Sequence, residues 1–243
     1  MNKYLKEHTA KRIKERLTTD PKQSYLRDWI YGGMDGAVTT FAVVSGAVGG
    51  HLSLLVVIIL GFANLIADGF SMAAGNFLGT KSEVDQYNHY KKIEEDHVAN
   101  YPHGEKQEIR QILANNGISK ENIEKMTSII TENKSYWIKM MLQEEYGLPK
   151  IIRSPIKAAL STFIAFLLCG LAPLLPYIIQ LPNRYSISTL LTAAVFFAIG
   201  TIKSRWSLQT WWQSGLSTLA IGIIVALLAF FTAYGLRVVI NLN

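Results

Sequence analysis

Residues 29–79 contain two apolar stretches, and both carry carboxylates that a membrane-spanning helix normally excludes. Asp35 lies in the first stretch, and Asn64 and Asp68 lie in the second. Each stretch is long enough to cross a bilayer as a helix, and the short connection between them predicts a tight hairpin. A carboxylate at bilayer depth costs at least about 2.5 kcal/mol, so such a residue most often marks an ion path. No acidic residue follows Glu145, so Asp35 and Asp68 are the two carboxylates of the apolar segments.

The second stretch carries a stripe of potential metal ligands. The stripe recurs every three or four residues and shares one helix face: Gly61, Asn64, Asp68, Met72 and Gly75. Carboxylate and amide oxygens suit Mn²⁺ and Fe²⁺, while a thioether disfavours Mg²⁺ and Ca²⁺. The pattern indicates a path for a divalent transition metal along Asp35, Asn64, Asp68 and Met72. The alternative is that Asn64 and Asp68 hydrogen-bond to neighbouring helices and that Met72 fills a packing gap.

The composition excludes an ordinary soluble protein. Hydrophobic residues make up 49% of the chain, and its net charge is +6. The basic residues flank apolar segments and form no aromatic-laced patch, so no nucleic-acid partner is predicted. Residues 1–28 are rich in Lys and Arg and predict an amphipathic helix on the surface of the lipid bilayer, with a solvated helix as the alternative. Their positive charge places the N-terminus in the cytosol.

Three further apolar segments follow, at about 155–179, 186–202 and 211–236. Together with the hairpin at 29–80, they predict an all-α, polytopic membrane protein with five transmembrane helices, three of them within 151–243. The connection KSRWSLQTW is positive and falls on the cytosolic side. Five spans place the C-terminus on the opposite side.

An insertion at 81–150 separates the second predicted span from the third and reads as a cytosolic helical domain. Its first helix continues from the membrane until Pro102, His103 and Gly104 interrupt it. Three more helices are expected over 105–115, 119–132 and 135–146, the first of them ended by Gly117. Helices this short need each other or a partner for stability, and a dimer of such bundles would supply one.

Three pairs at helical spacing carry potential ligands within the insertion. They are Glu94 with His97, Glu105 with Glu108, and Met141 with Glu145. Each pair shares one helix face, so folding the helices together could focus oxygen, nitrogen and sulfur ligands on one region. The alternative is a solvated surface, because acidic pairs on cytosolic helices commonly alternate with lysines, as they do here.

Two motifs carry a resemblance to a known family. The sequences GGMDGAVTTFAVVSGAVGG at 32–50 and ANLIADGFSMAAGNFLGTKSE at 63–83 closely resemble the vacuolar iron transporter family, including its bacterial members. The resemblance extends through the insertion to the later PLLPY motif. It implies a five-helix homodimer, and not an enzyme, that moves Fe²⁺ and often Mn²⁺ out of the cytosol in exchange for protons.

The resemblance also implies residue roles. The family's translocation aspartate and methionine fall on Asp35 and Met72. Its cytosolic iron-gathering pattern falls on Glu94, Glu105, Glu108, Met141 and Glu145. His97 replaces a typical glutamate and remains a competent ligand for Fe²⁺ or Zn²⁺. Leu142 replaces a frequent second methionine, and Asn76 replaces a frequent glutamate, which leaves the number of bound metals and the selectivity for iron open.

Three classes of function remain to be separated. The leading hypothesis is a secondary transporter of Fe²⁺ or Mn²⁺ in a bacterial cell membrane, with protons as counter-ions. A membrane-anchored metal sensor or store is the alternative. A helix that only anchors the protein does not require a carboxylate such as Asp68, so Asp68 favours the transporter. No Ser–His or paired catalytic Asp motif supports an intramembrane hydrolase.

Overall fold

The structure is a computed structural model that describes residues 7–18, 23–149 and 153–241, with only some side chains beyond Val225. Every regular element in these ranges is a helix, so the all-α prediction is confirmed for the described residues. In chain order the helices are α1 (Ala10–Thr18), α2 (Leu26–Gly49), α3 (Leu54–Asn100), α4 (Pro102–Asn115), α5 (Lys120–Glu132), α6 (Lys134–Glu144), α7 (Pro155–Leu171), α8 (Leu175–Ile178), α9 (Arg184–Lys203) and α10 (Trp211–Asn241). A short 3₁₀ turn, Ser204–Trp206, follows α9.

The chain divides into two compact units. One comprises Met1–Ser24 and Asp85–Arg153, and the other comprises Tyr25–Val84 and Ser154–Asn243. We call the 85–153 part of the first the insertion unit, and the second the apolar unit. Each unit has hydrophobic clusters of its own.

The insertion unit is held together by one apolar cluster. Its fully or nearly buried members come from the end of α3 and from α4, α5 and α6: Val98, Ile109, Leu113, Ile130, Trp137, Ile138, Met141 and Leu142. Gly117 ends α4 at φ +80°, as the sequence predicts. Glycine adopts this left-handed backbone conformation at little cost in free energy because it has no Cβ. Asn133 begins α6 by accepting a 3.0 Å hydrogen bond from the backbone N–H of Tyr136.

Helix α2 is the centre of the apolar unit and packs against α7, α9 and α10. Its contact with α7 requires glycine. A Cβ at Gly32 would overlap the Thr162 carbonyl, and a Cβ at Gly36 would overlap the Phe166 carbonyl. Small residues thus let the two backbones approach closely, as is common between membrane helices.

Two of the described segments are long and apolar enough to cross a membrane. They lie within α3 and within 184–206, while Pro155–Leu171 is apolar but shorter, and so is Trp211–Val225, the part of α10 whose side chains are continuously described. Length and composition therefore support two spans by themselves, and the other three of the predicted five are not established by this criterion.

Two predicted helix boundaries are wrong. The helix expected over 155–179 ends at Leu171 and resumes only as the four-residue α8. Pro173 and Pro176 lack the N–H groups that a continuous helix would use. Helix α4 begins at Pro102 and not at Glu105, because proline is well tolerated in the first turn, where its missing N–H would have no helical acceptor.

Candidate metal-binding sites

Three potential ligands converge in the insertion unit. Glu94 and His97 lie one turn apart near the end of α3, and Glu105 lies in the first turn of α4. One ligand atom from each of the three falls within 4.8 Å of the other two. His97 Nδ1 lies 3.3 Å from Glu105 Oε1 and 3.7 Å from Glu94 Oε1. Two carboxylates and an imidazole at this separation suit Fe²⁺, Mn²⁺ or Zn²⁺.

The sharp connection between α3 and α4 produces this convergence. Tyr101 separates the two helices and keeps non-helical backbone angles, and Pro102 then starts α4. The backbone N–H of Glu105 donates to the Tyr101 carbonyl at 3.2 Å, which fixes the first turn of α4. A ligand at the end of one helix therefore meets a ligand at the beginning of the next.

The two carboxylates of this cluster are buried without a full set of donors. Glu94 is 0% exposed and Glu105 is 4% exposed. Glu94 Oε1 accepts a 3.0 Å hydrogen bond from the Tyr146 hydroxyl. The Oε2 atoms of Glu94 and Glu105 have no hydrogen-bond donor among the described residues. A buried polar atom without a partner destabilises a fold by about 1–3 kcal/mol, and by more when it is charged. A cation bound to these oxygens would therefore remove this destabilisation.

Two more glutamates add negative charge around the cluster. Glu108 on α4 and Glu145 at the end of α6 both interact electrostatically with Glu94 and Glu105. Burial, followed by the charges of Glu94, Glu108 and Glu145, raises the pKa of Glu105 to about 7. Burial also raises the pKa of Glu94 and of Glu145, although Tyr146 and His97 partly oppose both shifts. Four carboxylates opposed by one imidazole form a region that favours cations.

These shifts predict that the metal-free protein loses stability as the pH rises. The folded pKa of Glu105 is about 7 against an ordinary value of 4.5, so the folded state binds more protons between these two pH values. The stabilisation is complete below pH 4.5 and is lost as the pH rises through 7. In chelator-treated protein, the melting temperature should therefore fall from pH 5.5 to pH 8, and Glu105→Gln should reduce that fall.

Glu121→Gln is the matched control, because Glu121 is an exposed glutamate at the start of α5. This variant should keep the wild-type pH dependence of the melting temperature. An equal pH dependence in wild type and Glu105→Gln would mean that Glu105 does not titrate as described.

Met141 and Leu142 are core residues of the insertion unit. Both are at most 1% exposed and belong to its apolar cluster. The backbone N–H of Glu145 donates to the Met141 carbonyl at 2.9 Å, so Met141 lies one turn before that glutamate. Met141 thus has a packing role in the structure, and metal ligation by its sulfur stays a prediction. Leu142, which cannot bind metal, also contributes packing.

The other predicted ligands lie in the apolar unit, on α2 and α3. Asp35 is half-buried and Asp68 is exposed on the single chain, and their charges interact. Asn64 Nδ2 donates to Thr39 Oγ1 at 3.3 Å, and Thr39 Oγ1 donates to the Asp35 carbonyl at 2.9 Å. The structure therefore brings Asp35, Asn64 and Asp68 into one region.

Met72 is partly buried and packs against the apolar cluster that contains Leu65 and Phe166. This contact supports the packing interpretation of Met72 that the sequence left open. It does not exclude ligation, because a thioether can pack and still turn its sulfur toward a metal.

A polar network that sequence reasoning missed joins α2, α3 and α7. Asp28 on α2 is 2% exposed. Asn76 Nδ2 donates to Asp28 Oδ1 at 3.0 Å and to Thr162 Oγ1 at 2.7 Å. Thr80 Oγ1 donates to Asn76 Oδ1 at 3.4 Å. One signal was present in the sequence: Asp28 precedes Asp35 by seven residues, which is two helical turns along the same face.

Sequence comparisons identify the family of this chain. Residues 26–234 match the VIT family. The chain is 31% identical over 227 residues to "Vacuolar iron transporter 1" of Eucalyptus grandis, covering 89% of this chain and 90% of that protein. It is 32% identical over 214 residues to "Vacuolar iron transporter 1" of Arabidopsis thaliana, covering 86% and 84%. A "Vacuolar iron transporter" of Toxoplasma gondii is 36% identical over 163 residues, covering 66% of this chain and 54% of that protein.

The family match spans both carboxylate regions described above, from Asp35 in α2 to Glu145 after α6. It also spans the Asp28, Asn76 and Thr162 network. This protein therefore belongs to the VIT family.

Proposed function

We propose that this protein moves Fe²⁺ across a membrane, out of the cytosol. It belongs to a family of transporters and is not an enzyme. The observation that carries the proposal is the pair of interacting carboxylates, Asp35 and Asp68, on two apolar helices. A charged group in such a helix costs free energy of insertion, so its presence most often marks an ion path. Asn64 adds an amide oxygen to this path, and Met72 adds sulfur.

The insertion unit acts as the collecting site for the metal. Support comes from the buried Glu94 and Glu105 with the partly exposed His97, and from two carboxylate oxygens that lack donors among the described residues. Glu108 and Glu145 raise the local negative charge, and Met141 is the sulfur ligand that the family pattern adds. The same oxygen-rich set would accept Mn²⁺, and His97 would also suit Zn²⁺.

Protons are the counter-ions in this proposal. A carboxylate that holds a divalent metal cannot hold a proton well at the same time. Release of metal from Asp35 and Asp68 on the far side would therefore be followed by protonation, and the protons would be carried back to the cytosolic side. Exchange of this kind needs no covalent chemistry from the protein.

The working form is a homodimer with five transmembrane helices in each chain. Asp68 is exposed on the single chain although it lies in an apolar helix, and a second copy would remove that carboxylate from lipid. The N-terminus and the 81–150 insertion lie in the cytosol, and the C-terminus lies on the opposite side. The excess of Lys and Arg in residues 1–28 supports this orientation.

A membrane-anchored metal store is the second candidate function. The Glu94–His97–Glu105 cluster favours it, because that cluster alone would be sufficient to retain a metal. A transporter releases the metal on the other side of the membrane, whereas a store keeps it bound to the protein. Protein reconstituted into vesicles, with the insertion unit outside, should accumulate Fe²⁺ in the lumen beyond the reach of an impermeant chelator. Fe²⁺ that remains wholly available to the external chelator would favour the store.

Met72 is expected to influence which metal is transported. Thioether sulfur favours softer metals, and Mn²⁺ is harder than Fe²⁺. Met72→Leu keeps the apolar contact and removes the sulfur, so it should lower Fe²⁺ uptake several-fold more than Mn²⁺ uptake. Uptake of both metals should be measured under anaerobic, reducing conditions that keep iron as Fe²⁺.

Met126→Leu serves as the control, because Met126 packs beside the core of the insertion unit and is not a proposed ligand. Fe²⁺ uptake should be unchanged in this variant. Normal Fe²⁺ uptake by Met72→Leu would assign Met72 to packing alone.

A further inference from the structure

The connection between α9 and α10 exposes a group of large apolar side chains that the proposed transport path does not use. Within ten residues, Lys203 to Trp212, it carries three tryptophans and a leucine. All four are exposed, at 47–107%: Trp206, Leu208, Trp211 and Trp212. We call residues 203–212 the tryptophan connection. Such a concentration of exposed aromatic surface is typical of an interaction site.

The tryptophan connection is ordered by its own hydrogen bonds. Its first part is the 3₁₀ turn, Ser204–Trp206. The backbone N–H of Gln209 donates to Ser207 Oγ at 3.2 Å, and that of Thr210 donates to Gln213 Oε1 at 3.2 Å. The second bond is half of a capping box at the start of α10. These local bonds define the backbone, so Trp206 is presented outward on the 3₁₀ turn, and Trp211 and Trp212 are presented on the first turn of α10.

The same connection is positively charged without local compensation. Lys203 ends α9, and Arg205 lies in the 3₁₀ turn. The sequence contains no acidic residue after Glu145. Among the residues that the structure describes, neither Lys203 nor Arg205 forms a salt bridge. The two cationic side chains and the three indole rings therefore form a surface that favours an anionic partner.

We propose that the tryptophan connection binds anionic phospholipid at the membrane interface. Indole rings favour the headgroup region, where the ring contacts lipid and the N–H contacts water. Lys203 and Arg205 would bind the headgroup phosphate. The exposed apolar residues of the adjoining helices, such as Ile202 and Leu216, continue this surface toward the acyl chains. The inference rests on the membrane placement in the proposed function, but not on the metal or on transport.

Quenching of tryptophan fluorescence by brominated lipids tests this assignment. The full-length protein would carry Trp29→Phe and Trp137→Phe, which leaves the three tryptophans of the connection as the reporters. It would be titrated in detergent with brominated phosphatidylglycerol or brominated phosphatidylcholine. Phosphatidylglycerol should quench at lower concentration. Lys203→Gln with Arg205→Gln should reduce that preference by about tenfold, because each basic residue near an anionic lipid surface contributes substantially to binding.

Lys120→Gln with Lys125→Gln removes the same charge from exposed positions on α5 and should leave the lipid preference unchanged. Elution volume and helicity would establish that each variant is folded. If the double variant aggregates, Lys203→Gln and Arg205→Gln alone should each reduce the preference by about threefold. An undiminished preference without Lys203 and Arg205, or an equal loss in the α5 control, would overturn the proposal. A change of oligomeric state in place of a change in lipid preference would also overturn it, because the connection would then bind a second copy.

Discussion

Asp35→Asn should abolish metal transport while leaving the fold intact. The amide has nearly the shape of the carboxylate, but it carries no charge and does not titrate near neutral pH. Asp35 interacts electrostatically with Asp68, and its backbone carbonyl is linked through Thr39 to Asn64, so the substitution removes charge from the centre of the proposed path. In sealed vesicles containing the variant, Fe²⁺ uptake should fall to the rate of protein-free vesicles.

Asp96→Asn is a suitable control for this loss. Asp96 occupies an exposed position of α3, and its substitution by asparagine removes the same charge. It should transport Fe²⁺ at the wild-type rate. Elution of the Asp35→Asn protein at the wild-type volume would separate a transport defect from misfolding. Wild-type flux through Asp35→Asn would remove Asp35 from the path.

Replacing Glu105, Glu108 and Glu145 together by glutamine should weaken Fe²⁺ binding by at least about a hundredfold. The loss of groups that only support metal ligands already weakens binding about 10- to 100-fold, and these residues are closer to the proposed site. Removal of Glu108 would also take away a charge whose repulsion raises the pKa of Glu94. Calorimetry on the full-length protein at neutral pH, without oxygen, measures the affinity.

The matched control removes three exposed carboxylates, Glu95, Glu121 and Glu132, and should keep the wild-type affinity. Transport by the variant of Glu105, Glu108 and Glu145 should fall most at low Fe²⁺ and partly recover at high Fe²⁺, because the path through Asp35 remains. Unchanged affinity would mean that these glutamates form only a solvated surface.

Local patterns in the sequence were sufficient to predict most of the helices and part of the proposed collecting site. Glu94 and His97 are three residues apart, so a single helix places them on one face. The interruption at Pro102 then predicts a second helix close by, and Glu105 follows within its first turn. Gly117 marks a helix end for the same local reason. These features depend on residues that are near each other in the chain.

Features that depend on distant residues were not predictable in the same way. Asp28 and Thr162 meet through Asn76, and nothing near Asp28 indicates which helix will cover it. The burial of Met141 in the core of the insertion unit is a second example, since its spacing from Glu145 fits a ligand and a core residue equally well. The early end of α7 is different, because Pro173 and Pro176 are a local signal that predicts a helix exit there, and the helix ends at Leu171.

Exchange of cytosolic Fe²⁺ for protons through Asp35 is the proposed function of this protein. Its most direct test is to record Fe²⁺ entry and lumenal pH in the same sealed vesicles, with the insertion unit outside and the lumen initially acidic. Fe²⁺ should enter, the lumen should become more alkaline as it enters, and both signals should be absent in Asp35→Asn. Fe²⁺ entry without a change in lumenal pH would contradict proton exchange, and the absence of Fe²⁺ entry through the wild-type protein would contradict transport itself.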